Sequence, residues 1–260
     1  MDFRTLPPGG PLRLLNVTVP ACLVDAPGDL VRIALTVEGA RLTGGPGVPV
    51  DMQGAMVLPA FIDMHTHLDK GHIWPRSPNP DGTFAGALAT VAADRASRWT
   101  AHDMRARMDF SLRCAFAHGT RAIRTHLDAI PPQDAISFPL FREMQAEWAG
   151  RIALQAACLI GAGDFSTDGA FARTADLVAG CGGVLGMVTY PLPDIATRVR
   201  DFLAMASARG LAADFHVDET LDPAANTLRI IAEAVLERRF SANVVVGHCC
   251  SVAAMAVGEA

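Results

Sequence analysis

The sequence predicts an α/β protein: a (β/α)8-type TIM barrel, incomplete here at about six β/α units, preceded by a small β-sandwich portion. Three observations lead there. From residue 56 short apolar runs alternate with amphipathic text; the turn after the first run reads Asp63-Met64-His65-Thr66-His67; and histidines recur where such runs end. Strands alternating with helices imply a parallel sheet, because each parallel pairing needs a long connection. A dinucleotide-type open sheet would want glycines directly after its first strand. The barrel is therefore favoured, and a barrel carries its functional groups at the C-terminal ends of its strands.

Residues 1–55 form the first portion, with β-like runs at Leu12 to Val19, Leu30 to Val37 and Ala40 to Leu42. Clusters such as Gly44-Gly45-Pro46-Gly47 break them into a small antiparallel piece. Residues 56–260 form the barrel portion. Strands are expected at Met56 to Asp63, Arg121 to His126, Ile152 to Leu159, Gly183 to Thr189, Ala212 to His216 and Asn243 to His248. Amphipathic helices are expected at Ala101 to Ala117, Phe138 to Trp148, Ala170 to Ala179, Ile195 to Ala208 and Ala224 to Arg238. A closed barrel has about eight units, so the chain reads as one missing its last units.

Composition narrows the function classes. Half of the 260 residues are hydrophobic, and the formal net charge of −5 comes from 22 basic and 27 acidic residues spread along the chain. Without a run of like charge, neither nucleic acid nor an anionic membrane is an expected partner; a small molecule is. No run of eighteen or more apolar residues occurs and the N-terminus lacks a signal-peptide pattern, which favours a cytoplasmic protein. The six cysteines form no C-x-x-C pair and read as thiols of a reducing compartment.

His65 and His67 are two apart at the end of an apolar strand, so the period of two sends both imidazoles to one side, the lumen of a barrel. That is half of a metal site, since neutral imidazole is the commonest ligand of zinc and ferrous iron; the alternative is two surface histidines in a turn. His216 closes a strand and Glu219 follows three residues later. A ligand histidine with a carboxylate just beyond suits metal-assisted hydrolysis, in which the metal activates water and the carboxylate shuttles its proton. A strand-end histidine beside a helix-capping acid is the other reading. His248 emerges from Val244-Val245-Val246-Gly247, either into the same mouth or as a core histidine bonded to backbone. His126 ends a further strand, facing substrate or serving structure.

These residues resemble the amidohydrolase superfamily. The stretch from Val57 to Lys70 is similar to its first-strand signature. His67-Leu68-Asp69, Arg124-Thr125-His126-Leu127-Asp128, Phe215-His216-Val217-Asp218-Glu219 and Gly247-His248 together are similar to the bacterial cytosine deaminase branch, which includes hydrolases of N-alkylated triazine-type rings. The resemblance implies one divalent ion, Zn2+ or Fe2+, held by His65, His67 and His216. Glu219 would carry a proton from metal-bound water to a ring nitrogen and His248 would orient or polarise that water. Metal-bound hydroxide would then deaminate a cyclic amidine, a cytosine-like pyrimidine or related heterocycle. The branch with two metals uses a carbamylated lysine at the end of the third or fourth strand, where Leu159 and Thr189 stand here.

Departures from the family pattern also matter. The family's final aspartate, at the end of an eighth strand, has no counterpart after Asp222, so a truncated, inactive fragment is an alternative reading. Cytosine deaminases place a glutamine after the third strand, where this chain reads Ala157-Cys158-Leu159-Ile160-Gly161. Losing that hydrogen-bonding group argues against cytosine itself; hydrolysis of a cyclic or N-substituted amide by the same hydroxide is a second enzymatic reading. Lys70, His126 and Gly161 are the candidate substrate-facing positions, and the resemblance allows a homo-oligomer.

Overall fold

A computed structural model describes residues 6–256 and Gly258. The chain divides into two units, Met1–Ala60 and Phe61–Ala260. The first holds one four-stranded sheet of β1 (Leu12–Pro20), β2 (Leu30–Glu38), β3 (Arg41–Thr43) and β4 (Val48–Asp51), in the order β3-β2-β1-β4. Leu14, Val17 and Val19 alternate or nearly so along β1 and form its own small core. The sequence reading differs in two respects: β4 was not anticipated, and it pairs parallel with β1 where an all-antiparallel piece was expected. Gly47 makes that pairing feasible, because a Cβ there would lie 2.8 Å from the Pro11 carbonyl oxygen. Among the described residues this unit is a single sheet, not the two layers of a sandwich.

The second unit runs β5 (Phe61–Thr66), α1 (Phe84–Arg98), α2 (Ala101–Ala117), β6 (Thr120–Asp128), α3 (Asp134–Glu147) and β7 (Ala153–Leu159). It continues α4 (Gly169–Gly180), β8 (Leu185–Thr189), α5 (Ile195–Ser207), β9 (Ala213–Val217), α6 (Thr227–Arg238) and β10 (Val244–His248). Parallel pairing gives two sheets, β5-β6-β7 and β8-β9-β10. Parallel bridges Ala157↔Val184 and Gly161↔Val188 join them, with the Cys158 N–H donating to Val184 at 3.1 Å and the Val188 N–H to Ile160 at 2.8 Å. Six strands thus follow one another in chain order, which is what consecutive strand-helix units produce.

The helices cover one face. Met104, Met108 and Leu112 recur every four residues on α2, and Val199, Phe202, Leu203 and Ala206 line one stripe of α5, all fully buried. Opposite them, Ala213, Phe215 and Val217 point outward from β9 into this layer, and the Phe202 and Phe215 rings lie 5.2 Å apart. Caps start several helices: the Thr83 hydroxyl accepts from the Gly86 N–H at 2.9 Å and the Asp168 carboxylate from the Ala170 N–H at 3.0 Å. No helix among the described residues is long and apolar enough to cross a membrane.

Some boundaries moved. The expected strand from Met56 is divided: Met56 bridges to Thr18 in the first unit, and β5 starts at Phe61, beyond Pro59, which has no N–H to give a ladder. Helix α1 was not anticipated, α3 starts four residues before Phe138 with Pro139 inside it, and α6 starts at Thr227.

Gly186 is the tightest point of the seam between the two sheets, since a Cβ there would sit 2.0 Å from the Cys158 carbonyl oxygen. Gly186→Ala is expected to cost about 3 kcal/mol or more, because backbone and not a flexible side chain must shift. Urea unfolding checks this; an unchanged midpoint would contradict it.

Candidate metal centre

Parallel strands bring their C-terminal ends to one edge, and that edge collects the imidazoles. His65 lies in β5 and His67 just beyond it, β6 supplies His126, β9 supplies His216 and β10 ends on His248. The His65 ring centroid is 4.4 Å from that of His126, 4.5 Å from His216 and 4.9 Å from His248. His67 Nε2 and His216 Nε2 are 3.5 Å apart. One ring nitrogen from each of His65, His67, His126 and His216 falls within 4.8 Å of the others, and the same holds for His216, Glu219 and His248.

The surrounding strands hold these groups in register. Asp214 is two residues before His216, so it shares the inward side of β9 one step deeper. Its carboxylate accepts from His126 Nε2 at 3.0 Å and from Arg124 at 3.3 Å, and Arg124 also donates to Gln155 at 2.8 Å. A polar layer therefore lies beneath the imidazoles. The Thr189 hydroxyl donates to the His216 carbonyl at 3.1 Å and meets the Thr227 hydroxyl at 3.0 Å. Thr227 in turn donates to Asp218 at 2.5 Å, and Asp218 accepts the Leu228 N–H at 3.2 Å, tying the strand end to the first turn of α6.

Burial, and then neighbouring charges, hold His65, His67 and His216 below the usual imidazole range. His216 is pushed down to about 3 by desolvation first and by His126 and His65 next. His67 is pushed down to about 2 by desolvation and then by the Lys70 charge. His65 is lowered for the same leading reason. Burial alone would raise Asp214, but the His126 hydrogen bond and the charges of His126 and Arg124 bring its carboxyl below the usual range.

The donor set fits a divalent cation. His65 Nε2, His67 Nδ1, His126 Nδ1 and His216 Nδ1 are buried without a hydrogen-bond partner. Neutral imidazoles are the form that binds metal. Two metal–nitrogen bonds of about 2.0–2.1 Å at a tetrahedral angle span roughly 3.4 Å, which the 3.5 Å between the His67 and His216 Nε2 atoms matches.

A cavity of about 500 Å³ opens at this edge. Its polar side includes His67, Lys70, His216, Glu219 and His248, and Glu219 Oε1 lies 3.1 Å from His248 Nε2. Its apolar lining is Phe84, Leu88, Leu159, Val188, Tyr190 and Pro191. Two larger hollows, one beside α6 and one between α3 and α4, hold no histidine.

Of the residues singled out from sequence, His65, His67, His216, Glu219 and His248 come together, and Lys70 reaches the cavity while its ammonium pairs with Asp128 at 2.8 Å. His126 is fully buried on Asp214 and is not part of the cavity lining. Gly161 also lies behind that lining, where its carbonyl accepts from the Asp164 and Phe165 N–H groups. Asp214, Phe84, Leu88 and Tyr190 were missed. Asp214 could have been found from its two-residue offset to His216, and α1 from the Thr83 cap before an alanine-rich run; Tyr190 carries no local signal.

The lowered imidazoles make stability depend on pH. Free histidine takes up a proton near 6.5, whereas folded His216 and His67 do so only at about 3 and about 2. In between, the unfolded chain binds more protons, so stability is greatest above 6.5 and is lost as pH falls towards 3. Urea unfolding of the metal-free protein across that range should show this loss, and His216→Leu should flatten it; identical slopes would refute the assignment.

Comparison with known proteins supplies relatives. An amidohydrolase family model matches residues 49–158. Over 204 residues the chain is 52% identical to a pterin deaminase of Rhizobium rhizogenes, a match covering 78% of this chain and 46% of that protein. The chain thus spans about half the length of this curated relative. N-isopropylammelide isopropylaminohydrolase from Burkholderia multivorans superposes with a TM-score of 0.75 at 24% identity, covering 96% of this chain and 63% of that one. 5-methylcytosine deaminase from Klebsiella pneumoniae, liganded with 5-fluorocytosine, gives 0.74 at 20% identity, covering 94% and 60%. These two likenesses concern the fold.

Proposed function

The chain belongs to the amidohydrolase superfamily, and we propose that it carries the metal-binding part of a hydrolytic deaminase acting on a planar cyclic amidine of the pterin or pyrimidine class. One observation carries this reading: His65, His67 and His216 each bring a ring nitrogen to within 4.8 Å of the others, beside the Glu219–His248 pair at the mouth of a cavity. We read residues 56–260 as part of a (β/α)8 barrel and residues 1–55 as a separate small β portion. The six parallel strands in chain order and the likeness to solved amidohydrolase structures support this.

His65, His67 and His216 would hold one divalent ion, zinc or ferrous iron. When bound, such an ion lowers the pKa of water towards neutrality and supplies the nucleophile. Glu219 Oε would accept one water proton and pass it to a ring nitrogen as the oxygen adds to the carbon bearing the exocyclic amine, and would then carry the second proton from that oxygen to the amine, so that the C–N bond breaks, ammonia leaves and the carbon becomes a carbonyl. His248 Nε2, 3.1 Å from Glu219 Oε1, holds that carboxylate in place, and would through it orient the attacking oxygen. The apolar lining excludes bulk water around the ring. The pterin deaminase relative favours a pterin as substrate, and the free thiols of all six cysteines suit a cytoplasmic setting.

His65→Ala and His216→Ala are expected to bind no more than traces of metal by mass spectrometry of the native protein. Glu219→Gln should retain metal while losing turnover by about 10²-fold or more, the usual worth of a positioned proton carrier. Full turnover in Glu219→Gln would refute the proton-transfer role. Ammonia released with the ring intact supports deamination, whereas an alkylamine or an opened ring would replace it with amide-type hydrolysis.

A further inference from the structure

Resting on the reading of this cavity as a heterocycle site, we propose that Tyr190 is its specificity-determining wall. In this assignment a planar bicyclic amidine stacks on the phenol ring, which the Gly161–Gly163 turn holds in place. Tyr190 directly follows β8 and lines the cavity with Phe84 and Leu88 of α1 and with Pro191, while the imidazoles and Glu219 line the same space. The tip of the ring is anchored: its hydroxyl accepts the Gly163 N–H at 2.9 Å. Tyr190 nevertheless keeps 38% of its surface exposed, so ring surface remains available to a ligand.

Gly163, opposite the phenol, is there for space. It does not adopt positive φ, so backbone conformation does not demand glycine. A Cβ on Gly163 would instead come 2.7 Å from the Tyr190 hydroxyl oxygen, whereas one on Gly161 would first meet the Asp164 carboxylate at 3.0 Å and reach the Tyr190 hydroxyl only at an ordinary contact distance. The turn after β7 is thus shaped to receive the phenol tip, which fixes where the ring face stands.

The space and chemistry suit a bicycle. The cavity of about 500 Å³ has imidazoles and a carboxylate among its lining and aromatic and aliphatic side chains besides. A ring system that presents its amidine carbon to the histidines has its second ring left to cover apolar wall. A monocyclic pyrimidine offers less area to that wall, and stacking scales with the overlapped area. Tyr190 therefore matters more for a pterin than for cytosine.

The test exploits the single tyrosine of the chain. Labelled with 3-fluorotyrosine, the zinc-loaded full chain should give one fluorine NMR resonance that shifts saturably with pterin. Tyr190→Ala, followed by calorimetry, should weaken pterin binding by about tenfold and cytosine binding by less than about threefold, a gap of the size stacking supplies. Gly163→Ala should weaken pterin comparably, and adding Tyr190→Phe should restore most of it, because the oxygen that meets the new methyl is gone. That rescue distinguishes a displaced ring from general misfolding. Pterin binding that leaves the resonance unmoved, an equal loss for both ligands in Tyr190→Ala, or no rescue in the double variant overturns the proposal. Ammonia release on the same samples separates it from the deaminase reading. A shifted resonance without ammonia from any heterocycle sinks the activity and leaves the Tyr190 wall standing; ammonia from pterin without a shift does the reverse.

Discussion

Four imidazoles sit in mutual contact at the edge of a parallel sheet, and their buried nitrogens lack protein partners. An unpaired buried polar group costs about 1–3 kcal/mol, so crowding four imidazoles that each leave one buried nitrogen unpaired works against the stability of the fold. For His65, His67 and His216 protonation is no escape, since burial disfavours the charged form. The surroundings answer this constraint. Arg124, Gln155 and Asp214 form a hydrogen-bonded floor, and the Thr189–Thr227–Asp218 chain buttresses the His216 backbone.

Some of the backbone strain lies at this edge too. Asp218 and His248 have φ of +46° and +68°, in the left-handed region that costs a non-glycine residue roughly 1–2 kcal/mol. Both lie where inward strands end, and the turn they impose lets one position serve two purposes. Asp218 caps α6 while Glu219, the next residue, faces the cavity with His248. Parallel register carries the alignment: Gly247 and Val188 both stand opposite His216. Gly247 has no side chain where a Cβ would lie 3.3 Å from the His65 ring, so β10 can close on the cluster.

Much of this was legible in the sequence, for physical reasons that also mark the limits. Alternation of apolar strands with amphipathic helices is a periodic signal, and it located six strands and five helices of the second unit to within a few residues. His65 and His67 were legible because a period of two puts neighbours-but-one on one side, and His216 and His248 because they terminate apolar runs. Helix α1 was not; along its alanine-rich text only Asp94 is buried. The partnership of His126 with Asp214 spans 88 residues and depends on β6 and β9 facing one lumen-side layer, which no local pattern encodes. Tyr190 was invisible for a similar reason, since its environment is made by the turn after the preceding strand.

Lys70 shows how a residue picked out as substrate-facing acquires a different meaning in its surroundings. Its ammonium is held by Asp128, which also pairs with Arg95, and Asp128 donates its N–H to the buried Asp69. Asp69 is pushed up to about 7 by desolvation and then by the Asp128 charge, and Lys70 and Arg107 oppose that rise. The lysine is thus engaged in balancing two carboxylates just behind the strand end. Its charge is also the largest influence after desolvation in keeping His67 unprotonated. A cation three residues from a candidate ligand would ordinarily compete with a metal ion for the same negative surroundings. Here the pairing with Asp128 offsets that charge locally, while the remaining field still disfavours the protonated form of His67, so one lysine both balances the carboxylates behind the strand end and lines the cavity in front of it.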